Sequence, residues 1–337
     1  MIYGHGDDIY NYPDIKVNFS SNVNPAGAQD SLLDHLAEKL PGIKAYPQPM
    51  AENLGQAIGN INQISSDNVL VTNGAVEAFY LVASMMANSH SLIYTPSFAE
   101  YEDACKIYHH QIEFRSNCKL TSGESVNSFD VVWICNPNNP DGRLLEASFL
   151  LKLIEKNQHT LFVLDEAYIE FVANPQSLLK EACVLRNLIV IRSLTKKFAI
   201  PGLRLGYLVA NTECINTIKQ RLMPWRINSL AIEAGLFCLS EKDTSNFSLA
   251  KWLQESKRLQ KEIDAMPNFK AILSDTTFFL VKSKFKASLV KQHLALNFGL
   301  LVRDASNFRG LDEYHFRISV RSENENQLLI NALKTWE

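Results

Sequence analysis

Residues 188–210 read LIVIRSLTKKFAIPGLRLGYLVA and contain two apolar runs that flank a basic loop. The runs, Leu188–Ser193 and Leu205–Ala210, are mostly continuous, whereas a half-buried strand alternates apolar and polar residues. Continuous runs of this length predict strands that are buried on both faces, as in parallel sheets covered by helices. The stretch therefore indicates an α/β fold.

Similar patterns extend from this stretch towards the N-terminus. Short apolar runs alternate there with helical patterns such as Val76–Ala87 and Glu146–Lys156. The runs predict four more strands, at Asn68–Thr72, Ser91–Thr95, Asp130–Cys135 and Thr160–Asp165. This alternation predicts a large domain in which helices flank a mostly parallel sheet.

The pattern changes after Pro224. A long helical stretch, Ser229–Met266, precedes predicted strands at Ala271–Lys282, Leu300–Arg303 and Tyr314–Val320. This order predicts a second, smaller α+β domain. We therefore expect an N-terminal arm at 1–27 that packs on the small domain or on a partner, a large domain at 28–228 and a small domain at 229–337.

Composition narrows the classes of function. The 337 residues carry a formal net charge of -3, with 46% hydrophobic and 20% charged residues, so neither nucleic acid nor an anionic membrane is an expected partner. No apolar run approaches the ~20 residues that cross a bilayer. Met1–Pro13 lacks the apolar core of a signal peptide, and the six cysteines form no CxxC pair. We expect reduced thiols, no metal site and a cytoplasmic protein.

The basic loop between the two opening strands combines a lysine with groups that suit a phosphate. Lys196, held near cationic groups and away from water, would have a lowered pKa and an amine that attacks aldehydes. The hydroxyls of Ser193 and Thr195 and the guanidinium of Arg204 suit a phosphate. A solvated basic loop is the alternative, but residues 201–203 (Pro-Gly-Leu) and the apolar flanks favour a packed segment.

Three other predicted strands end in polar motifs, at the edge where open α/β sheets bind ligands. Thr72–Glu77 joins a strand to a helix, whose first N–H groups and dipole favour a phosphate. Residues 135–142, CNPNNPDG, hold asparagines extended before prolines, so that a side chain can project into a cleft. Asp165 ends an apolar strand and needs a cationic partner, such as a protonated pyridine nitrogen. Their ordinary alternatives are a βα turn, a loop of turn formers and a helix N-cap.

Together, and in this order, the four segments resemble the fold-type I aminotransferases over nearly the whole chain. Residues 139–142 resemble the family's Asn-Pro-Thr-Gly motif, with Asp141 in place of Thr. Asp-x-x-Tyr at 165–168 and Ser-x-Thr-Lys…Arg at 193–204 also match. The resemblance implies the aspartate-aminotransferase fold (PLP fold type I), with pyridoxal-5'-phosphate (PLP) as cofactor and Lys196 holding it as a Schiff base.

The resemblance also implies a role for each matching residue. Asp165 pairs with the pyridine nitrogen and, with Lys196 and Tyr168, forms the catalytic set. Asn139 and Tyr168 contact the ring 3'-oxygen, and Phe98 stacks on the ring. The residues implied for the cofactor phosphate are Gly74, Ala75, Val76, Ser193, Thr195 and Arg204.

Three further stretches refine the resemblance. Tyr46 is similar to the tyrosine that reaches the cofactor phosphate of a neighbouring subunit, which implies a homodimer with shared active sites. Met223-Pro224-Trp225 and the start at His5-Gly6 are most similar to the threonine-phosphate decarboxylases of cobalamin biosynthesis. These enzymes convert L-threonine O-3-phosphate to (R)-1-amino-2-propanol O-2-phosphate and CO2.

A phosphorylated amino acid needs two anion sites. Arg317 lies inside the apolar strand 314–320, where an arginine is costly unless it is paired, and a substrate carboxylate would pair it. The resemblance implies that Arg303 holds the substrate phosphate together with His5 and Asn22. A structural ion pair is the alternative for either arginine.

Three other functions are compatible with parts of this pattern. An aminotransferase acting on histidinol phosphate, or on another phosphorylated amino acid, would share nearly every residue named above. A catalytically silent, regulatory PLP-fold protein is disfavoured by the intact Lys196, Asp165, Asn139 and Arg204. A dinucleotide enzyme is disfavoured because no G-x-G-x-x-G follows an early strand.

Overall fold

The computed structural model describes residues 6–121, 125–240 and 248–336. The α-helices within these ranges are α1 Asp30–Lys39, α2 Glu52–Asn62, α3 Gly74–Met85, α4 Glu100–Ile107, α5 Asn117–Leu120, α6 Ala147–Lys156, α7 Leu179–Ala182, α8 Leu194–Lys197, α9 Thr212–Lys219, α10 Ser229–Ser240, α11 Leu249–Asp264, α12 Ala287–His293 and α13 Glu323–Lys334. Within the same ranges, no helix has both the length and the apolar character that crossing a lipid bilayer requires.

The β-strands form three sheets. They are β1 Val17–Asn18, β2 Val69–Thr72, β3 His90–Thr95, β4 Gln111–Ser116, β5 Val131–Cys135, β6 Leu161–Asp165, β7 Leu188–Ser193, β8 Gly206–Val209, β9 Phe269–Ala271, β10 Phe278–Ser283, β11 Leu300–Leu301, β12 Arg303–Asp304 and β13 His315–Ser319. The sheets have seven strands, four strands and two strands.

The large sheet has the order β2-β8-β7-β6-β5-β3-β4. Four of its pairings are parallel, and β8 is antiparallel to both β2 and β7. Successive residues face opposite layers of helices: Trp133 packs with residues of α3, α4 and α9, whereas Ile134 packs with residues of α2, α6 and α10. Because helices cover both faces, the strands are apolar at nearly every position. The predicted mostly parallel sheet with flanking helices is thus confirmed.

One strand of the large sheet was missed by the sequence pattern. Strand β4 lies at the sheet edge, and its residues are exposed or only partly buried. The segment QIEFRS therefore lacks the continuous apolar run that identifies the central strands. Edge position, rather than weak strand formation, explains the difference.

The four-stranded sheet is antiparallel, with the order β12-β13-β10-β9. The single strand predicted at 271–282 is wrong, since β9 and β10 are separated by residues 272–277. There the hydroxyls of Ser274 and Thr276 donate to the Phe278 carbonyl oxygen at 2.6 and 2.9 Å, closing a local turn. The strand predicted at 300–303 is likewise two strands, because β11 pairs with β1 and β12 pairs with β13.

The helical stretch predicted at 229–266 contains two helices that pack on different cores. Helix α10 contacts α1 and α2, and its Ala231 and Ile232 belong to the core of the large sheet. Helix α11 contributes Leu259 and Ile263 to the core of the small sheet. We therefore propose that the small domain begins with α11 rather than at residue 229.

The N-terminal segment 18–24 lies between the seven-stranded sheet and the four-stranded sheet. Arg321 donates to the carbonyl oxygens of Asn18 and Ser21 at 2.8 and 2.7 Å, which ties the segment to the end of β13. Three residues after Ser21, the Asn24 N–H donates to the Lys196 carbonyl oxygen at 2.9 Å, next to the large sheet. The segment therefore links the small sheet to the basic loop.

Gly206 leaves no room for a side chain where β8 meets the start of α3. A Cβ atom there would lie 2.7 Å from the Ala75 nitrogen and 2.8 Å from the Arg192 carbonyl oxygen. Because these neighbours are backbone atoms, we expect Gly206→Ala to lower the free energy of unfolding by about 1–3 kcal/mol. Urea denaturation measures the change. Gly202→Ala is the matched control, since no described heavy atom lies within 4 Å of its Cβ position; equal midpoints for the two variants would contradict the prediction.

Candidate active site

The predicted motifs meet at one edge of the large sheet. The last residues of the parallel strands there are Thr72, Thr95, Cys135, Asp165 and Ser193. Strand β8 runs the other way, so its first residue, Gly206, pairs with both Thr72 and Ser193. The antiparallel direction of β8 therefore brings Arg204, two residues earlier, to the same edge.

A cavity opens between this edge and the four-stranded sheet. Seven residues that the sequence predicted for the site line it: Asn22, Phe98, Asn139, Tyr168, Lys196, Arg303 and Arg317. Asp165 lies close enough to interact electrostatically with Lys196. The structure thus brings the lysine, the candidate ring contacts and the two arginines around one space.

Lys196 lines the cavity on the side of the large sheet. Its Nζ lies 5.9 Å from the centre of the Tyr168 ring. Burial, followed by the positive charges of Arg317 and Arg204, lowers the pKa of Lys196 to about 8. At pH 7 about a tenth of this amine is therefore neutral and can attack an aldehyde, far more than for an ordinary lysine. The adjacent Lys197 instead places its Nζ 5.3 Å from the centre of the Phe198 ring, outside the cavity lining.

Asp165 is buried and held by three groups. Its carboxylate accepts hydrogen bonds from the Tyr101 hydroxyl at 2.5 Å and from the Ala167 N–H at 2.9 Å, and the Cys135 thiol lies 3.9 Å away. Burial raises the pKa of Asp165 to about 6, although the hydrogen bonds and Lys196 oppose the rise. The carboxylate is therefore mostly ionised at pH 7 and suits a cationic ligand group.

A cradle for an anion forms at the start of α3. Gly74 has φ +76°, a conformation that favours glycine, and a Cβ atom there would lie 2.5 Å from a terminal guanidinium nitrogen of Arg204 and would displace it. The hydroxyls of Ser193 and Thr195 are buried and 2.8 Å apart. The first N–H groups of α3, these hydroxyls and Arg204 are the groups that phosphate sites use.

Arg303 and Arg317 face the cavity side by side. They stand opposite each other in β12 and β13, so their side chains project from the same face. They are only 5% and 6% exposed, and burial lowers the pKa of each to about 10, with Arg317 adding to the effect on Arg303. An anionic ligand between two buried guanidinium groups would relieve their mutual repulsion.

Hydrogen bonds hold both arginines in place. Arg317 donates to the Ser20 carbonyl oxygen at 2.8 Å and to the Asn139 side-chain oxygen, and Arg303 donates to Asn307 Oδ1 at 2.7 Å. Arg317 Nε is buried and makes no hydrogen bond within the described ranges. A donor is therefore left for a ligand at Arg317.

The loop 138–142 positions Asn139 with the help of Asp141. The Asp141 carboxylate accepts from the Asn138 side chain at 2.8 Å and from the Arg143 N–H at 3.2 Å, which closes the loop. Burial raises the pKa of Asp141. On the other side, a Cβ atom at Gly142 would lie 1.9 Å from Ser274 Oγ, so the loop packs directly on the small domain. Asp141 thus acts as a loop cap where the family has threonine.

Two predicted residues are among neither the described cavity lining nor the described groups at the sheet edge beside it. Tyr46 is 84% exposed and packs beside Trp225, with ring centres 5.1 Å apart, away from the lining residues. His5 lies outside the described residues. Any role of either residue in the site therefore rests on the resemblance.

Sequence reasoning missed several groups around the cavity. Asp7, Ser20, Ser21 and Asn307 line it, and Tyr101 holds Asp165. The available signal for the two serines was the stretch 18–25, NFSSNVNP, whose small polar residues mark a loop that can bring backbone groups to a site. No comparable pattern marks Asn307 or Tyr101.

Comparisons with known proteins agree with this geometry. Residues 14–333 match the family model of class I and II aminotransferases. The chain is 30% identical to threonine-phosphate decarboxylase of Salmonella typhimurium, over 96% of this chain and 91% of that protein. It is 34% identical to histidinol-phosphate aminotransferase of Thermoanaerobacter sp., over 95% of this chain and 92% of that protein. The crystal structure of L-threonine-O-3-phosphate decarboxylase from Porphyromonas gingivalis superposes with a TM-score of 0.92 at 38% identity, over 95% of this chain and 99% of that chain. The chain therefore belongs to the PLP-dependent family of class I and II aminotransferases.

Proposed function

We propose that this protein is a PLP-dependent decarboxylase that converts L-threonine O-3-phosphate to (R)-1-amino-2-propanol O-2-phosphate and CO2, a step of cobalamin biosynthesis. The observation that carries the proposal is the pair Arg303 and Arg317, which lines one cavity together with Lys196. The substrate carries a carboxylate and a phosphate, which the two arginines would bind. It also carries an amine. The similarity to the decarboxylases of Salmonella typhimurium and Porphyromonas gingivalis supports this choice.

The residues at the sheet edge fit PLP. The start of α3 at Gly74, the Ser193 and Thr195 hydroxyls and Arg204 together suit the cofactor phosphate. The buried, ionised Asp165 suits a protonated pyridine nitrogen. Both amide atoms of Asn22 and the Arg317 Nε are buried without a hydrogen bond inside the described ranges, so the cavity keeps polar atoms for ligands to satisfy.

The side chains divide the chemical work. PLP, when bound, supplies an electron sink for the pair released as a bond at the substrate Cα breaks. With PLP bound, Asp165 would hold the pyridine nitrogen, Asn139 and Tyr168 would contact the ring oxygen, and Phe98 would cover the ring face. Lys196, with a pKa of about 8, can carry a proton at neutral pH and deliver it to Cα, where it replaces the CO2 that has left.

The two arginines control the orientation of the substrate. Arg317 holds the carboxylate through Nε, and Arg303 holds the phosphate. Fixing both ends would restrict rotation at Cα, and this rotation decides which Cα bond can break. We propose that the two arginines hold the carboxylate so that CO2 leaves rather than the Cα proton.

A histidinol-phosphate aminotransferase is the second candidate. Its support is the 34% identity to the Thermoanaerobacter enzyme. Histidinol phosphate has a phosphate but no carboxylate, so it would occupy one arginine only. The 2-oxo acid partner of such an enzyme has two carboxylates, however, and would engage both. The two candidates therefore differ in their need for a 2-oxo acid.

We also propose a homodimer with shared active sites. Tyr46 and the nearby Leu40 and Ile43 are exposed apolar side chains, as are Met223 and Trp225. Tyr46 and Trp225 touch, so the two stretches form one surface. Contiguous exposed apolar surface marks protein interfaces. This surface supports the interpretation that Tyr46 reaches the cofactor phosphate of a neighbouring subunit.

Lys196→Ala should abolish the visible absorbance of the purified protein after incubation with PLP, because the conjugated linkage needs this amine. Lys197→Ala is the matched control and should keep the absorbance, since its side chain lies beside Phe198. Absorbance spectra and borohydride reduction followed by peptide mass spectrometry identify the modified lysine. Labelling of Lys197 in the unaltered protein would contradict the assignment, and so would a colourless unaltered protein.

The pure protein loaded with PLP should release CO2 from L-threonine O-3-phosphate without any 2-oxo acid. Decarboxylation needs no amino-group acceptor, whereas transamination stops after one turnover without one. Coupled CO2 detection over many turnovers measures the difference. Activity that requires histidinol phosphate and 2-oxoglutarate would overturn the proposed reaction in favour of the second candidate.

Arg303→Met should raise the KM for L-threonine O-3-phosphate by about tenfold or more, because it removes a charge-assisted contact to the phosphate. For unphosphorylated L-threonine, which cannot make this contact, kcat/KM should be nearly unchanged. Steady-state kinetics with both substrates separates binding of the phosphate from general damage. Arg309→Met is the control, since Arg309 pairs with Glu102 at 2.7 Å and does not line the cavity. Equal losses on both substrates would refute a phosphate contact.

A further inference from the structure

The turn at residues 72–74, where the cofactor phosphate is proposed to bind, is held by an arginine from a distant part of the chain. Glu77, in the first turn of α3, accepts at one carboxylate oxygen from the Asn73 N–H at 2.6 Å and from Arg226 at 2.5 Å. The other terminal nitrogen of Arg226 donates to the Val71 carbonyl oxygen at 3.1 Å. One guanidinium group therefore contacts the end of β2 directly and the N-cap of α3 through Glu77.

Arg226 is itself fixed by neighbours outside the turn. The Trp225 N–H donates to the Pro49 carbonyl oxygen at 2.9 Å, and Ile227 is buried in the core of the large sheet. The Arg226 side chain is 6% exposed, whereas the Glu77 side chain is 24% exposed. The guanidinium group thus reaches the turn from a packed segment and can support it rigidly.

The conformation of this turn matters for an anion. The N–H groups at the start of a helix bind a phosphate only when they point at it. Gly74, with φ +76°, has a conformation that glycine visits easily but also leaves easily. The Asn73 side chain makes no capping hydrogen bond within the described ranges, so the cap comes from Glu77. Contacts on both sides of Gly74 would therefore keep the N–H groups in one direction.

The salt bridge also solves a problem of charge. A carboxylate beside a phosphate repels it unless a cation lies close to the carboxylate. Arg226 is such a cation, because it contacts the same Glu77 oxygen that caps the helix. Neither residue is part of the described cavity lining or has a task in the proposed reaction. Buried ion pairs seldom add much to stability, which favours a positioning role for this one.

We propose that Arg226 is a positioning residue for the cofactor phosphate, which holds the turn 72–74 through Val71 and Glu77 and offsets the charge of Glu77. The inference rests on the proposed function, in which PLP binds with its phosphate at this turn. The pyridine ring would be held by other residues. Loss of Arg226 should therefore weaken the binding of ligands that carry the phosphate and leave the binding of those without it.

The test compares PLP with pyridoxal, which has the same ring and aldehyde but no phosphate. Both are titrated by absorbance into the full-length protein after its cofactor has been removed. Arg226→Met should weaken PLP binding by about tenfold or more and change pyridoxal binding by less than about twofold, because the lost hydrogen bonds orient only the phosphate turn. Arg226→Lys has one terminal nitrogen in place of two, so it should weaken PLP binding by about threefold.

Two further variants separate the proposed role from general damage. Glu77→Gln keeps an oxygen that can accept from Asn73 and Arg226 but removes the negative charge, so it should bind PLP at least as tightly as the unaltered protein. Arg258→Met is the matched control for loss of a bridging arginine. Arg258 also joins two glutamates, but it lies on α11 and is not among the lining residues. It should change the binding of neither ligand.

Each result decides between explanations. Equal weakening of PLP and pyridoxal in Arg226→Met would overturn the inference, and so would unchanged PLP binding. A loss of PLP binding in Glu77→Gln as large as that in Arg226→Met would also overturn it. If Arg226→Met fails to fold, the same comparison of the two ligands in a folded Arg226→Lys decides in the same way. An unaltered protein that fails to bind PLP would instead refute the proposed function itself.

Discussion

The reactivity of Lys196 depends, besides burial, on the positive charges of residues from two different sheets. Burial alone lowers the pKa of an amine, but Arg317 comes from β13 of the small sheet and Arg204 from the turn before β8 of the large sheet. Their combined field on one nitrogen exists only where the two sheets face each other. Asp165 works in the opposite direction and limits the effect. The site is therefore a property of the contact between the sheets, and neither sheet contains it alone.

The central strands and the site residues next to them could be predicted because local chemistry reveals them. Strands covered on both faces must be apolar throughout, and polar residues at their ends are then conspicuous, as with Asp165 and Ser193. The basic loop is conspicuous for the same reason. The edge strand β4 and the break at 272–277 escaped the pattern because an exposed edge and a hydroxyl-capped turn leave no apolar signature.

The direction of β8 and the path of segment 18–24 were not readable from the sequence, because both depend on partners far along the chain. Gly206 pairs with β2 and β7, and the carbonyl oxygens of segment 18–24 are bound by arginines near residue 320. Sequence periodicity reports the neighbours of a residue within one element. It carries no information about which distant element satisfies a backbone carbonyl.

The same segment has a consequence for the order in which the protein can be completed during synthesis. The Ser20 and Ser21 carbonyl oxygens accept from Arg317 and Arg321, which lie 297 and 300 residues later in the chain. On the ribosome, the early segment must wait for these partners until nearly all of the polypeptide has emerged. Until then, Asn24 can contact the Lys196 backbone, but Ser20 and Ser21 lack their arginine partners. A truncated chain that ends before β13 would thus have an incomplete cofactor pocket.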